Sequence, residues 1–199
     1  MMKLLLLIIC LLVSPLQIFS TPAYVIVIRH GEKPKDKDAK HLSAAGEERA
    51  RRLVDFVKSN PELARIGAPQ ILVATHPTED GGGLRTKETL VPLSETLKVP
   101  VETPYESDHP KRLASMLLSE KMYEGKNILI SWTHEQIPAL IKALGIQPAP
   151  AEMGDDVYDL VYLISYGEKG AALQTLRQDM ASAPPGKKPK LFHPGKKVH

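Results

Sequence analysis

The stretch Tyr24-Val25-Ile26-Val27-Ile28-Arg29-His30-Gly31-Glu32-Lys33-Pro34 constrains the fold more than any other part of the chain. Four consecutive β-branched residues without polar alternation suit a strand covered on both faces, which implies a parallel sheet between helical layers. In open sheets of that kind ligands bind beyond the carboxyl ends of the strands. This strand ends there on Arg29, a fixed cation; His30, a titratable nucleophile or base; and Gly31, which lets backbone approach closely. Such a strand end is chemically suited to a phosphate group.

The remaining pattern alternates apolar runs with helical periodicity, which argues for α/β layering. Ser43 reads as an N-cap for a helix with Ala50, Leu53, Val54 and Val57 inward, ending near Asn60-Pro61. A second strand over 70–75 leads through a glycine loop to a helix carrying Leu90, Leu93 and Leu97, with Pro92 as a candidate kink. A third strand is expected over 99–103, a helix over 111–121, and a fourth strand over 127–132. Ile137, Leu140, Ile141 and Leu144 then fall at helical spacing before Gly145. Segments 159–166 and 172–176, joined through 167–170, read as an antiparallel hairpin. The expected architecture is a three-layer α/β sandwich: a mostly parallel central sheet flanked by helices, with an antiparallel C-terminal hairpin.

The two ends of the chain have a different character. Lys3 followed by the apolar run 4–13 and the breakers Ser14 and Pro15 matches a secretory signal over 1–20, too short to span a membrane comfortably. The only cysteine, Cys10, lies inside it, so the folded domain expected over 21–181 has no disulfide, thiol nucleophile or thiolate metal site. A secreted or periplasmic protein follows, without a stable membrane span after cleavage. Net charge is +3, but Lys187, Lys188, Lys190, Lys196 and Lys197 all lie in the Pro/Gly-rich stretch 182–199, read as a disordered tail. Setting aside that tail and Lys3 leaves a folded part with net negative charge and no basic face for nucleic acid.

Chemistry-bearing residues recur at strand ends. Arg29 and His30 end the first strand, Arg85 follows the second through Gly81-Gly82-Gly83, and His134-Glu135 follow the fourth. Two arginines and two histidines suit a phosphoryl group, because guanidinium forks bind its oxygens and transfer depends on charge stabilisation and positioning. The glycine run lacks the lysine and hydroxyl residue of a P-loop. Pro138 stands where a zinc-protease helix H-E-x-x-H needs its second histidine, so no metal or cofactor is expected. His76 is open to either lining the pocket or closing its own loop, and Trp132 reads as a packing residue.

Arg29-His30-Gly31, Leu42-Ser43-Ala44-Ala45-Gly46, Arg85-Thr86-Lys87-Glu88-Thr89 and His134, in this order and context, resemble the histidine phosphatase superfamily, which includes phosphoglycerate mutases and acid phosphatases. The resemblance covers nearly the whole folded domain and, together with the leader expected over 1–20, describes a small exported member. It implies that His30 forms a phosphohistidine while Arg29, Arg85 and His134 bind phosphoryl oxygens. A carboxylate beside the second histidine in the acid-phosphatase branch points to Glu135 as proton donor, while Glu106 and Asp108 lie nearer the mutase branch's acid. The acid-phosphatase branch has an arginine two residues beyond R-H-G, where this chain has Lys33, an additional candidate for substrate binding. Little chain is available for a lid, so an open pocket is expected. The activity implied is hydrolysis of a small phosphomonoester through phospho-His30, with a mutase-like phosphotransferase or a non-catalytic phosphate- or phosphopeptide-binding module as alternatives.

Overall fold

The computed structural model describes residues 21–36 and 38–178; the leader expected over 1–20 and the tail expected over 182–199 lie outside the described residues. Its elements run β1 (Tyr24–Arg29), α1 (Ala44–Ser59), α2 (Pro61–Ile66), β2 (Ile71–Ala74), α3 (Leu84–Leu97), β3 (Val101–Glu102), α4 (Pro110–Ser119), β4 (Asn127–Trp132), α5 (Ile137–Ala143), β5 (Leu160–Gly167) and β6 (Gly170–Arg177). A single 3-10 turn, Lys121–Tyr123, joins α4 to β4.

The six strands form one sheet in the order β3-β2-β4-β1-β5-β6. Strands β1, β2, β3 and β4 are mutually parallel, and the hairpin β5-β6 adds antiparallel to β1. The continuous apolar run in β1 has its explanation here, since β1 lies between β4 and β5 and both its faces are covered. Val25 and Val27 face a core with Leu113, Leu117, Ile137, Leu140 and Ile141 from α4 and α5. Ile26 and Ile28 face the opposite core, with Leu53 and Val57 of α1 and Leu90 and Leu93 of α3. Truncating a fully buried residue such as Leu53 or Leu140 to alanine is expected to cost about 2–5 kcal/mol.

Ser43 caps α1, its Oγ accepting from Gly46 N at 3.1 Å, as the sequence indicates. Where the chain departs from expectation, short elements are responsible. After α1 it does not run straight to β2 but makes α2, capped by Asn60 Oδ1 with Pro61 in its first turn. The strand expected over 99–103 shrinks to Val101–Glu102 at the sheet edge, where it pairs with β2 alone. The helix expected over 111–121 stops at Ser119. Pro92 lies within α3 without ending it.

Candidate active site

The parallel strands β1, β2 and β4 deliver their carboxyl ends to one edge, and His30 N donates to Trp132 O at 3.2 Å, tying the end of β1 to the end of β4. Antiparallel β5 runs the other way beside β1, so the chain leading into it, residues 153–159, arrives at that same edge. Four segments thus meet there.

His30 is buried, and its Nδ1 lies 2.6 Å from its neighbour's carbonyl oxygen, Gly31 O. A carbonyl only accepts, so Nδ1 carries the hydrogen and Nε2 keeps a lone pair. The pKa is pushed down from 6.5 to about 4, mainly by burial, with the Gly31 hydrogen bond opposing and the charges of Arg29, Arg85 and His134 adding to the push. The imidazole is therefore neutral across the physiological range. Gly31 N is held by Thr89 Oγ1 at 2.8 Å, and Thr89 in turn donates to Arg85 O, so the β1 turn is anchored on the first turns of α3.

Gly31 also fits against Gly46, the glycine of the Leu42–Gly46 motif. A Cβ on Gly31 would come within 2.8 Å of Gly46 O, and one on Gly46 within 2.5 Å of Glu32 O. Neither residue has room for a side chain, because backbone meets backbone. A half-buried ion pair secures the same approach, with Arg49 Nη2 2.6 Å from Glu32 Oε1 and Arg49 Nε 3.0 Å from both carboxylate oxygens.

Arg29 is almost wholly buried, at 1% exposure. Its Nη1 donates to the carbonyls of Gly154, Asp155 and Val157 at 3.0, 2.8 and 3.0 Å, and its guanidinium carbon lies 4.0 Å from the centroid of the Tyr158 ring. Burial pulls the guanidinium below its ordinary value, opposed by Tyr158 and the carboxylates of Glu135, Asp155 and Asp156. Its Nε and Nη2 remain buried without a hydrogen-bond partner. Each buried unsatisfied donor costs roughly 1–3 kcal/mol, a deficit that an incoming anion would remove.

His134 sits in the turn after β4, also buried. Its Nε2 lies 3.1 Å from Asp155 Oδ1. Its Nδ1 is buried without a hydrogen-bond partner, although Glu135 Oε2 approaches to 3.2 Å. Helix α5 begins at Ile137, and the N–H groups of Gln136 and Ile137 both turn back onto Thr133 O. Those two backbone donors are thus already used.

The structure gathers His30, Arg29, Arg85 and His134 by mutual electrostatic influence, and Glu135 by its approach to His134 and Arg29. Arg85 is half-buried, with Nη1 on Ala39 O at 2.9 Å. Lys33 is exposed on the loop beyond Gly31. Glu106 is exposed, and Asp108 is turned to His109. Their loop is pinned by Trp132 Nε1, which donates to Ser107 O at 3.1 Å from an otherwise buried ring. His76 is exposed, and its Nδ1 lies 3.1 Å from Thr103 O, tying the loop after β2 to the chain just after β3. The glycine loop is an ordinary turn built on Thr78 and Asp80, and Gly83 adopts a left-handed conformation at the start of α3. Among the described residues no three or more His, Cys, Asp or Glu side chains are grouped to hold a metal ion, and no helix is long and apolar enough to cross a membrane.

Asp155 and Tyr158 were not singled out from the sequence. The available signal was topological: a hairpin beginning near 159 and pairing antiparallel beside β1 must bring its approach to the ligand edge.

No protein-family model and no curated protein matches the chain. Among solved structures it is similar to the α-ribazole phosphatase of Shigella flexneri, at 16% identity and TM-score 0.56, over 81% of this chain and 100% of that one. It is also similar to a mycobacterial glucosyl-3-phosphoglycerate phosphatase, at 14% identity and TM-score 0.52, over 78% of this chain and 97% of the other. A complex of that mycobacterial enzyme with inorganic phosphate aligns with TM-score 0.51 and 14% identity, over 81% of this chain and all of the other. At these identities the likeness establishes the architecture: a mixed six-stranded sheet flanked by helices, with its antiparallel β5-β6 hairpin, which is the histidine phosphatase fold.

Proposed function

We propose that this chain is a phosphatase of the histidine phosphatase type, hydrolysing a small phosphomonoester through phospho-His30. The observation that carries the reading is the meeting of a buried neutral imidazole, whose Nε2 is free, with unpartnered buried donors on Arg29. A neutral nitrogen nucleophile beside unsatisfied cationic donors is what attack on a phosphorus centre requires.

In the first step the Nε2 lone pair of His30 forms a bond to phosphorus as the ester P–O bond breaks, and Glu135 protonates the departing oxygen. Arg29, Arg85 and His134 hold the phosphoryl oxygens. In the second, Glu135 takes a proton from water as its oxygen attacks phosphorus, releasing inorganic phosphate and restoring His30. Glu135 is preferred over Glu106 and Asp108 because its carboxylate lies within 3.2 Å of His134. Lys33, exposed beside the β1 turn, is assigned to the outer part of the substrate. The leader over 1–20 makes the protein an exported one, tested by N-terminal sequencing of the mature chain.

A phosphate-release screen over phosphorylated metabolites tests this, with His30→Ala as control. Release by the wild type that is lost in the variant is expected, together with acid-labile label on His30. Undiminished release by His30→Ala would overturn the mechanism, and binding without release in the wild type would favour a phosphate-binding module.

A further inference from the structure

Asp155 does more in this site than any reading of the strand ends assigns to it. Its carbonyl is one of the three that hold Arg29 Nη1, and its carboxylate meets His134 Nε2 at 3.1 Å. One residue therefore touches both a phosphate-binding arginine and the second histidine. The segment is held in turn by Tyr158 against the Arg29 guanidinium and by Val157 N donating to Gly154 O at 3.0 Å.

The contact has a consequence for the imidazole. A carboxylate accepts only, so the bond places a hydrogen on Nε2 and leaves Nδ1 as the nitrogen without a partner. Nδ1 is also the atom approached by Glu135, the proposed proton donor, at 3.2 Å. The two ring nitrogens have distinct surroundings, and the hydrogen bond made by one decides the work of the other.

We propose that Asp155 is a positioning residue which, by accepting from His134 Nε2, fixes the ring so that Nδ1 faces the substrate phosphoryl group. This rests on the phosphatase reading above and deepens it. On substrate binding the ring takes up one proton from solvent at Nδ1, which bonds a phosphoryl oxygen, while Nε2 keeps its hydrogen on Asp155. The charged and titratable groups around the ring are Asp155 from the β5 approach, Glu135 from its own turn, and His30 from the end of β1. His30 and His134 thereby use opposite nitrogens: Nε2 attacks and Nδ1 binds.

The test is long-range ¹H–¹⁵N correlation on the full chain labelled at histidine nitrogens, with kinetics in parallel. Wild type is expected to show His134 protonated at Nε2, and Asp155→Ala to show a mixture of tautomers. A ring free to turn is expected to lose about 10²-fold in kcat, with Asp155→Asn recovering part of the loss through its amide oxygen. Asp156→Ala, in the same loop, is expected to leave the His134 tautomer unchanged. Wild-type tautomer and kcat retained in Asp155→Ala would overturn the proposal. Faster turnover with tighter binding of inorganic phosphate in Asp155→Ala would also overturn it, because Asp155 would then be an anion blocking the site. Absence of label on His30 in the wild type would sink the phosphatase reading while leaving the tautomer measurement to decide the role of Asp155 by itself.

Discussion

His30 and His134 are both buried imidazoles at the carboxyl ends of neighbouring parallel strands, yet their surroundings are opposite. His30 has its own chain's carbonyl on one nitrogen and positive charge from Arg29 and Arg85 around it. His134 lies between two carboxylates, Asp155 and Glu135. Position in the fold is nearly shared, so the difference comes from what the flanking loops bring. Cations and burial make a lone-pair nucleophile; acceptors make a donor to phosphoryl oxygen.

The largest effect should come from exchanging the two. His30→Ala is expected to abolish both turnover and phosphoenzyme, whereas His134→Ala keeps label on His30 while kcat falls by about 10²–10³-fold, as for loss of one transition-state donor. Quench-flow with ³²P-labelled substrate separates the outcomes, and equal loss of label in both variants would erase the distinction. Next, Glu135→Gln is expected to slow alkyl phosphates by about 10²-fold and p-nitrophenyl phosphate much less, since a good leaving group needs no proton. Equal slowing on both would move the acid elsewhere.

The electrostatic side of the comparison is sharpened by pH. The folded-state pKa of His30 is depressed from 6.5 to about 4, so between those values the unfolded chain binds the additional proton. Stability should therefore be complete above about pH 6.5 and decline as pH falls toward 4, by up to ~3 kcal/mol from this group. Urea midpoints across that window should flatten in His30→Ala relative to wild type. Smallest of all, Glu106→Gln is expected to change stability by no more than about 0.5 kcal/mol and to leave the ratio of the two substrates' rates unaltered.

Much of this was legible because it is local. The β-branched run of β1 and the span of β4 announce buried strands, Ser43 announces its cap, and Ile137, Leu140 and Ile141 display one helical face. Arg29, His30, Arg85 and His134 follow because strand ends bind ligands in such sheets. Helix α2 escaped because its six residues bury only Leu63, too little for a periodic signal, and the strand expected over 99–103 was placed but drawn too long, because its length is set by two-residue pairing at the sheet edge. Asp155 and Tyr158 escaped for a different reason. Their place depends on β5 pairing with β1, a choice of partner that no spacing within 153–159 records.

The backbone contact between Gly31 and Gly46 has a consequence beyond packing. Because Gly46 occupies the volume that a methyl group on Gly31 would need, and the Glu32 backbone next to Gly31 the volume that one on Gly46 would need, the two positions behave as one steric unit separated by a loop of variable chemistry. In a saturation library both would tolerate almost no replacement while the exposed Lys35 between them varied freely. Grafting the R-H-G turn onto another sheet would require transplanting the helix start with it. The smallest portable piece of this site is thus a strand end and a helix start clasped together, and it would be recognisable in a remote sequence by a glycine one turn inside the first helix.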